Sequence, residues 1–252
     1  MTPSEIQSFL DEKVDKYNQK SYFLNDDPIL LPNQFKDKAD IEIIGFLVAT
    51  IAWGKRQMII KNGEKLIDIM GGQPHQFILN AQLSDLKDLK FVHRTFNVID
   101  LKYFIKALQA IYQKQESIED LFAAHSGNMS EKIHHFRSEF LSFDPEKRTE
   151  KHISNPLKNS SAKRLNMFLR WMVRNDNRNV DFGIWKQISP SELYCPLDVH
   201  TGNVARKLNL IQRKANDWKA LEELMIHLRS YDEQDPVKYD FALFGLGVYE
   251  GF

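Results

Sequence analysis

Residues 159–174 read NSSAKRLNMFLRWMVR. At about 100° per residue, Leu165, Phe168, Leu169 and Met172 share one face, while Lys163, Asn166, Met167, Arg170 and Arg174 fall on the other. An apolar stripe of that period is a helix laid on a core, and the opposite face is expected to be solvated and basic. Ser161 is a natural N-cap, which puts Lys163 in the first turn. The positive end of a helix dipole disfavours a cation, so an amine held there beside Arg164 is expected to have a depressed pKa, one route to a nucleophilic lysine. The same end also suits phosphate. Periodicity alone leaves a third use open, that of a plain amphipathic helix.

Working outward, helical signals dominate. Ser4 opens a helix reaching about Asn18, and Ile41 to Trp53 is apolar nearly all round, as a buried central helix would be. Further helices are expected at 57–70, 74–80, 100–114, 117–125, 130–141, 162–174, 198–208, 217–230 and 236–245. No Asn-Gly or Asp-Gly turn stands between alternating flanks, so no sheet is expected. The polar stretch 143–161, with Pro145 and Pro156, reads as a connecting segment within a single unit of residues 1–252. The expected fold is all-α, in two helical lobes with a cleft between them.

Composition narrows the function classes. Hydrophobic residues make up 42% and charged residues 27%, an ordinary soluble balance. The longest apolar run, Ile41 to Trp53, is interrupted by Glu42 and Gly45 and falls short of a membrane span. The polar start Met1-Thr2-Pro3-Ser4-Glu5 does not read as a secretory signal. A lone cysteine, Cys195, excludes an internal disulfide and a cysteine-held metal cluster and suits a cytoplasmic setting. No metal site and no cofactor is expected; Asp232, Glu233 and Asp235 read as a solvated loop between helices. Net charge is zero, yet residues 146–214 hold 14 Lys/Arg against 6 Asp/Glu. A concentrated basic segment can meet a polyanion through one face.

The second informative stretch is YCPLDVHTGNVARKLNL, residues 194–210. Asp198 follows a proline turn and precedes Val204, Ala205 and Leu208, so it reads as a helix N-cap. A carboxylate fixed by backbone N–H groups stays ionised, and a fixed negative charge is also what a developing sugar cation requires. Capping and electrostatic catalysis both remain open for it.

This segment resembles the "Pro-Val-Asp-Thr-His-Val" stretch of helix-hairpin-helix DNA glycosylases of the endonuclease III kind. A fuller set adds residues 52–56 (AWGKR), 93–96 (HRTF), the 163–174 block and residues 235–247 (DPVKYDFALFGLG). That set looks closest to an uncharacterised bacterial family of unknown function related to the glycosylase superfamily, with archaeal 8-oxoguanine glycosylases the nearest characterised relatives. The glycine hairpin Leu-Pro-Gly-Val-Gly is absent, with Asn159-Ser160-Ser161 in its place, and Gly202-Asn203 breaks the usual "His-Val-x-Arg". The resemblance implies a lysine that attacks the sugar C1′ of an extruded base and an aspartate that stabilises the charge formed there. Carried over, Lys163 matches the nucleophile and Asp198 the aspartate.

The expectation is therefore a base-excision DNA glycosylase, with or without Schiff-base lyase activity, acting on an oxidised or otherwise damaged base in double-stranded DNA. Lys163 and Asp198 are the candidate catalytic pair. Arg164, Arg170, Arg174 and Lys207 are candidate DNA contacts, and Trp53, Trp171 and Phe244 candidate stacking partners for the base. Nucleoid association in the cytoplasm would follow. The alternatives are a non-catalytic nucleic-acid-binding module of the same fold and a helical protein-interaction domain.

Overall fold

The computed structural model describes residues 1–82, 84 and 86–252, and the chain is mostly helical. It divides into two compact units, one of Met1–Asn25 with Asn155–Phe252 and one of Asp26–Ser154. The first unit opens with α1 (Pro3–Tyr17) and α2 (Lys20–Phe23). The second holds α3 (Lys38–Ile51), α4 (Arg56–Ile69), α5 (Pro74–Asn80), the strands β1 (Val92–His93) and β2 (Phe96–Asn97), α6 (Val98–Tyr112), α7 (Ile118–Ala123) and α8 (Met129–Phe140). The chain then completes the first unit with α9 (Lys163–Val173), α10 (Val199–Lys207), α11 (Trp218–Tyr231) and α12 (Tyr239–Gly245).

Local chemistry sets the helix ends. Capping boxes start α1 at Thr2 with Glu5, α6 at Asn97 with Asp100 and α8 at Asn128 with Glu131. Each pair satisfies two N–H groups that the first turn would otherwise leave bare. Thr2 thus takes the role expected of Ser4. The helix expected to reach Trp53 stops at Ile51, because Gly54 adopts φ +105° and turns the chain toward α4.

In the second unit α3 is buried on all sides, as its composition predicts, and Phe46 is the hub. Its ring meets Phe104, Phe136 and Phe140 at centroid distances of 5.6, 5.5 and 5.2 Å. Glu42, the charge that interrupts this helix, is fully buried and accepts from the Tyr112 hydroxyl at 2.7 Å and the Ile118 amide at 3.1 Å, and from the Ser117 hydroxyl. A buried carboxylate survives only with such donors.

The expectation of no sheet needs correction. β1 and β2 form a two-stranded antiparallel hairpin, pairing Val92 with Asn97 and His93 with Phe96. The chain crosses between the units twice, at Asn25 and Asp26 and, inside the 143–161 stretch, at Ser154 and Asn155. That stretch is anchored: Thr149 and His152 are buried, and the Thr149 hydroxyl donates to Asp100 at 2.8 Å.

In the first unit α12 lies against α1 and α10. A methyl group on Gly245 would fall 2.2 Å from the Tyr17 ring, so only glycine allows that approach. Asp240, buried on the same helix, belongs to the site.

Candidate functional site

The entry to α9 is a loop of left-handed turns. Asn159 has φ 63° and Ala162 φ 46°. Asparagine tolerates this region better than most residues, so it supplies a left-handed turn without glycine. The Asn159 amide donates to Asp217 at 2.9 Å, and its carbonyl accepts from the Trp218 amide at 3.2 Å, tying the loop to the start of α11. The N-cap of α9 is therefore Ala162, not Ser161 as expected, and it offers no side-chain oxygen. Lys163 is the first helical residue and half-buried; its Nζ lies 3.6 Å from the Met167 sulfur, and among the described residues it forms no ion pair. Burial pulls the neighbouring Arg164 guanidinium down to about 10.

The polar face of α9 is not solvated, which corrects the sequence reading. Asn166, Arg170 and Arg174 are 1%, 4% and 2% exposed. Arg170 pairs with Asp181 at 3.2 Å and with Asp240. Arg174 pairs with Asp176 at 2.7 Å, Asp235 at 2.9 Å and Asp181 at 3.2 Å. Both guanidiniums also lie over the Phe241 ring, 4.4 and 5.1 Å from its centroid. Arg170 and Arg174 are thereby withdrawn from a phosphate-contacting face. Asp235, read as part of a solvated loop, is a counter-charge in this lattice.

Four carboxylates against two guanidiniums leave the lattice short of positive charge. Burial pushes the Asp181 carboxyl up even though both arginines pull it down. Burial does the same to Asp240, opposed by Arg170 and reinforced by the charge of Asp198. Cys195 donates to Asp240 at 3.4 Å, and burial with that neighbouring charge pushes its thiol well up. A thiol held protonated is no nucleophile.

Asp198 caps α10 as expected, its Oδ1 accepting from the Thr201 amide at 2.9 Å. Among the described residues its Oδ2 accepts no hydrogen bond. A buttress absent from the sequence reading holds the turn. Asn216 donates to the Asp198 carbonyl at 2.8 Å and accepts from Arg206 at 2.6 Å, while Arg206 also donates to the Arg213 carbonyl. This explains Gly202, where a methyl group would fall 2.5 Å from the Asn216 oxygen. Lys207 lies over the Phe252 ring at 5.5 Å and lines an open pocket of about 510 Å³ with His200, Asn203 and Arg206.

The stacking candidates separate. Trp171 is fully buried and belongs to the core, so it cannot meet an extruded base without unpacking the unit. Phe244 is half-buried beside Phe23, with centroids 6.1 Å apart. Trp53, also half-buried, meets His93 edge-on at 5.1 Å and stacks on His152 at 6.0 Å. Among the described residues no group of three or more His, Cys, Asp and Glu is arranged to hold a metal ion, and no helix is long and apolar enough to cross a membrane.

The family model described as "Protein of unknown function (DUF2400)" matches residues 27–249. The chain belongs to that family. No curated protein matches the chain, and no solved structure does. For this DUF2400 chain, sequence reasoning placed Lys163 and Asp198 but missed Asp181, Asp240 and Asn216. Asp240 had a legible signal, being the one charged residue in the apolar run Tyr239–Gly245. Asp181 and Asn216 had none, since their partners are fixed by chain entry into the fold.

Proposed function

We propose that this protein is a base-excision DNA glycosylase, acting on double-stranded DNA that carries an oxidised or otherwise damaged base. The reading is that of a helix-hairpin-helix type enzyme, and one observation carries it. Asp198 is fixed at a helix N-terminus with one oxygen on a backbone amide and the other open, in the unit that also holds Lys163. Lys163, Met167 and Arg170 run along one side of α9. Arg170 reaches Asp240, and the Asp198 charge adds to the upward push on that carboxyl, which supports a site on the Lys163 side of α9.

Extruding the base costs a few kcal/mol, less for a damaged or mispaired one. As the bond from C1′ to the base breaks, the base leaves with the bonding electrons and takes up a proton. The carboxylate of Asp198 stabilises the positive charge left on the sugar. In the lyase form the Lys163 amine forms the new C1′–N bond and loses a proton. The C1′–O4′ bond then breaks, O4′ keeps the electron pair and takes up a proton, and the Schiff base results. In the other form water adds to C1′ and loses a proton.

Borohydride trapping on a panel of lesion-bearing duplexes tests this. A covalent adduct that Lys163→Gln abolishes is expected, and Asp198→Asn should lower base release by roughly 10²-fold or more. Base release without an adduct would remove Lys163 as nucleophile and keep the glycosylase. No release from any duplex overturns the reading. A second reading, a nucleic-acid-binding protein without base chemistry, is favoured by Lys163 resting half-buried on a thioether. It requires salt-sensitive DNA binding that Asp198→Asn leaves unchanged.

A further inference from the structure

Two short segments of the second unit, residues 52–56 and 93–96, converge on one exposed arginine. Arg94 is the first residue of the two-residue turn between β1 and β2, and it adopts φ 54°. Such turns ordinarily place Gly or Asn there, and any other side chain costs about 1 kcal/mol or more. The Arg94 side chain then lies directly on Gly54, where an added methyl group would fall 2.8 Å from Nη1 and 3.3 Å from Cδ. Gly54, at φ 105°, is required by its backbone, and its bare Cα leaves room for the guanidinium to lie against it.

The turn itself is clamped from below. Arg148 donates to the Thr95 carbonyl at 2.9 Å, to Asn97 at 2.8 Å and to Asp100 at 2.6 Å. His93 is buried; its Nε2 donates to the Trp53 carbonyl at 3.1 Å, which leaves Nδ1 to accept from Asn62 at 2.9 Å. Burial, and to a lesser degree Arg94, pulls the His93 pKa down, so the imidazole stays neutral beneath the arginine. Arg94 is exposed, and among the described residues neither it nor the adjacent exposed Lys55 forms an ion pair. A guanidinium carried on a clamped turn, without an ion pair among the described residues and facing solvent, at a conformational cost that glycine would remove, suits an anion from outside.

We propose that Arg94, seated on Gly54 and flanked by Lys55, takes a backbone phosphate of nucleic acid. The planar fork matches two phosphate oxygens, and Trp53 beside it gives the aromatic and basic interleaving that nucleic-acid surfaces use. This rests on the nucleic-acid reading above and adds a contact in the second unit, whereas Lys163 and Asp198 belong to the first.

The test is anisotropy of a fluorescent duplex oligonucleotide titrated with the full chain over a range of salt. Arg94→Gly is the informative variant, because it removes the cation and relieves the left-handed turn together. Its melting temperature should equal or exceed that of the parent while binding weakens. The slope of log K against log salt should fall by about 0.9, the loss of one phosphate contact. Arg94→Lys should keep the slope and lose part of the affinity, since a point charge replaces the fork. Parent-like affinity and slope in Arg94→Gly overturn the proposal while leaving the DNA reading intact. If the parent chain binds no duplex at low salt, the DNA reading fails and this contact fails with it.

Discussion

Each unit holds a buried carboxylate cluster at a helix junction, and Glu42 in the second unit is stabilised by other means than Asp181 and Asp240 in the first. In the second unit Glu42 lies inside α3 and is satisfied by two hydroxyls and one amide, with the Lys38 ammonium 3.9 Å away. In the first unit Asp181 and Asp240 are met by Arg170 and Arg174, which also bind Asp176 and Asp235. Hydroxyl donors secure one junction, between α3, the end of α6 and the start of α7. The guanidinium lattice ties α9 to α12 and to the loops at residues 176–181 and 235. Replacing such a lattice wholesale by apolar residues can be neutral, whereas removing one member strands the others. The lattice therefore specifies how these elements meet more than it adds stability.

That contrast can be broken by measurement. The largest effect is expected from Arg174→Met, which leaves Asp181 with Arg170 alone and Asp176 and Asp235 without their cation. Urea denaturation should show a loss of about 3–5 kcal/mol. Glu42→Gln keeps the shape but turns one acceptor into a donor facing donors, and should cost about 1–3 kcal/mol by the same assay. A larger loss for Glu42→Gln than for Arg174→Met would reverse the comparison.

The smallest effect is expected from pH and concerns His93. Its pKa is lowered in the folded chain by burial, so the unfolded chain takes up the proton first. The stability His93 contributes is complete above the ordinary value of 6.5 and is lost as pH falls below it toward the depressed folded value. Melting temperature should decline over that acid range, and more shallowly in His93→Gln; equal slopes would remove His93 as the sensor.

Legibility in the sequence followed the range of the forces. The Pro74–Asn80 helix matches its reading at both ends, because proline at its start and the residues around it act locally. The Asp198 cap was legible for the same reason, its acceptor and donor being three residues apart. The β1–β2 hairpin was not, because Arg94-Thr95 lacks the glycine or asparagine that marks such turns. Gly202 read as a departure from a motif, and its cause, Asn216, lies on another segment.

The sequence by itself determined that this is a helical chain, where most of its helices run, and that Lys163 lies in the first turn of one helix while Asp198 caps another. These are consequences of period, caps and breakers that act within a turn or two. Only the tertiary structure decided which polar faces meet water. Arg170 looks like a solvated cation until Asp240, distant in sequence, is packed beside it, and Arg94 looks ordinary until Gly54 is placed beneath it. Charge is sorted by what folding brings within a few ångströms, because in a low-dielectric interior an unpaired ion is too costly to keep.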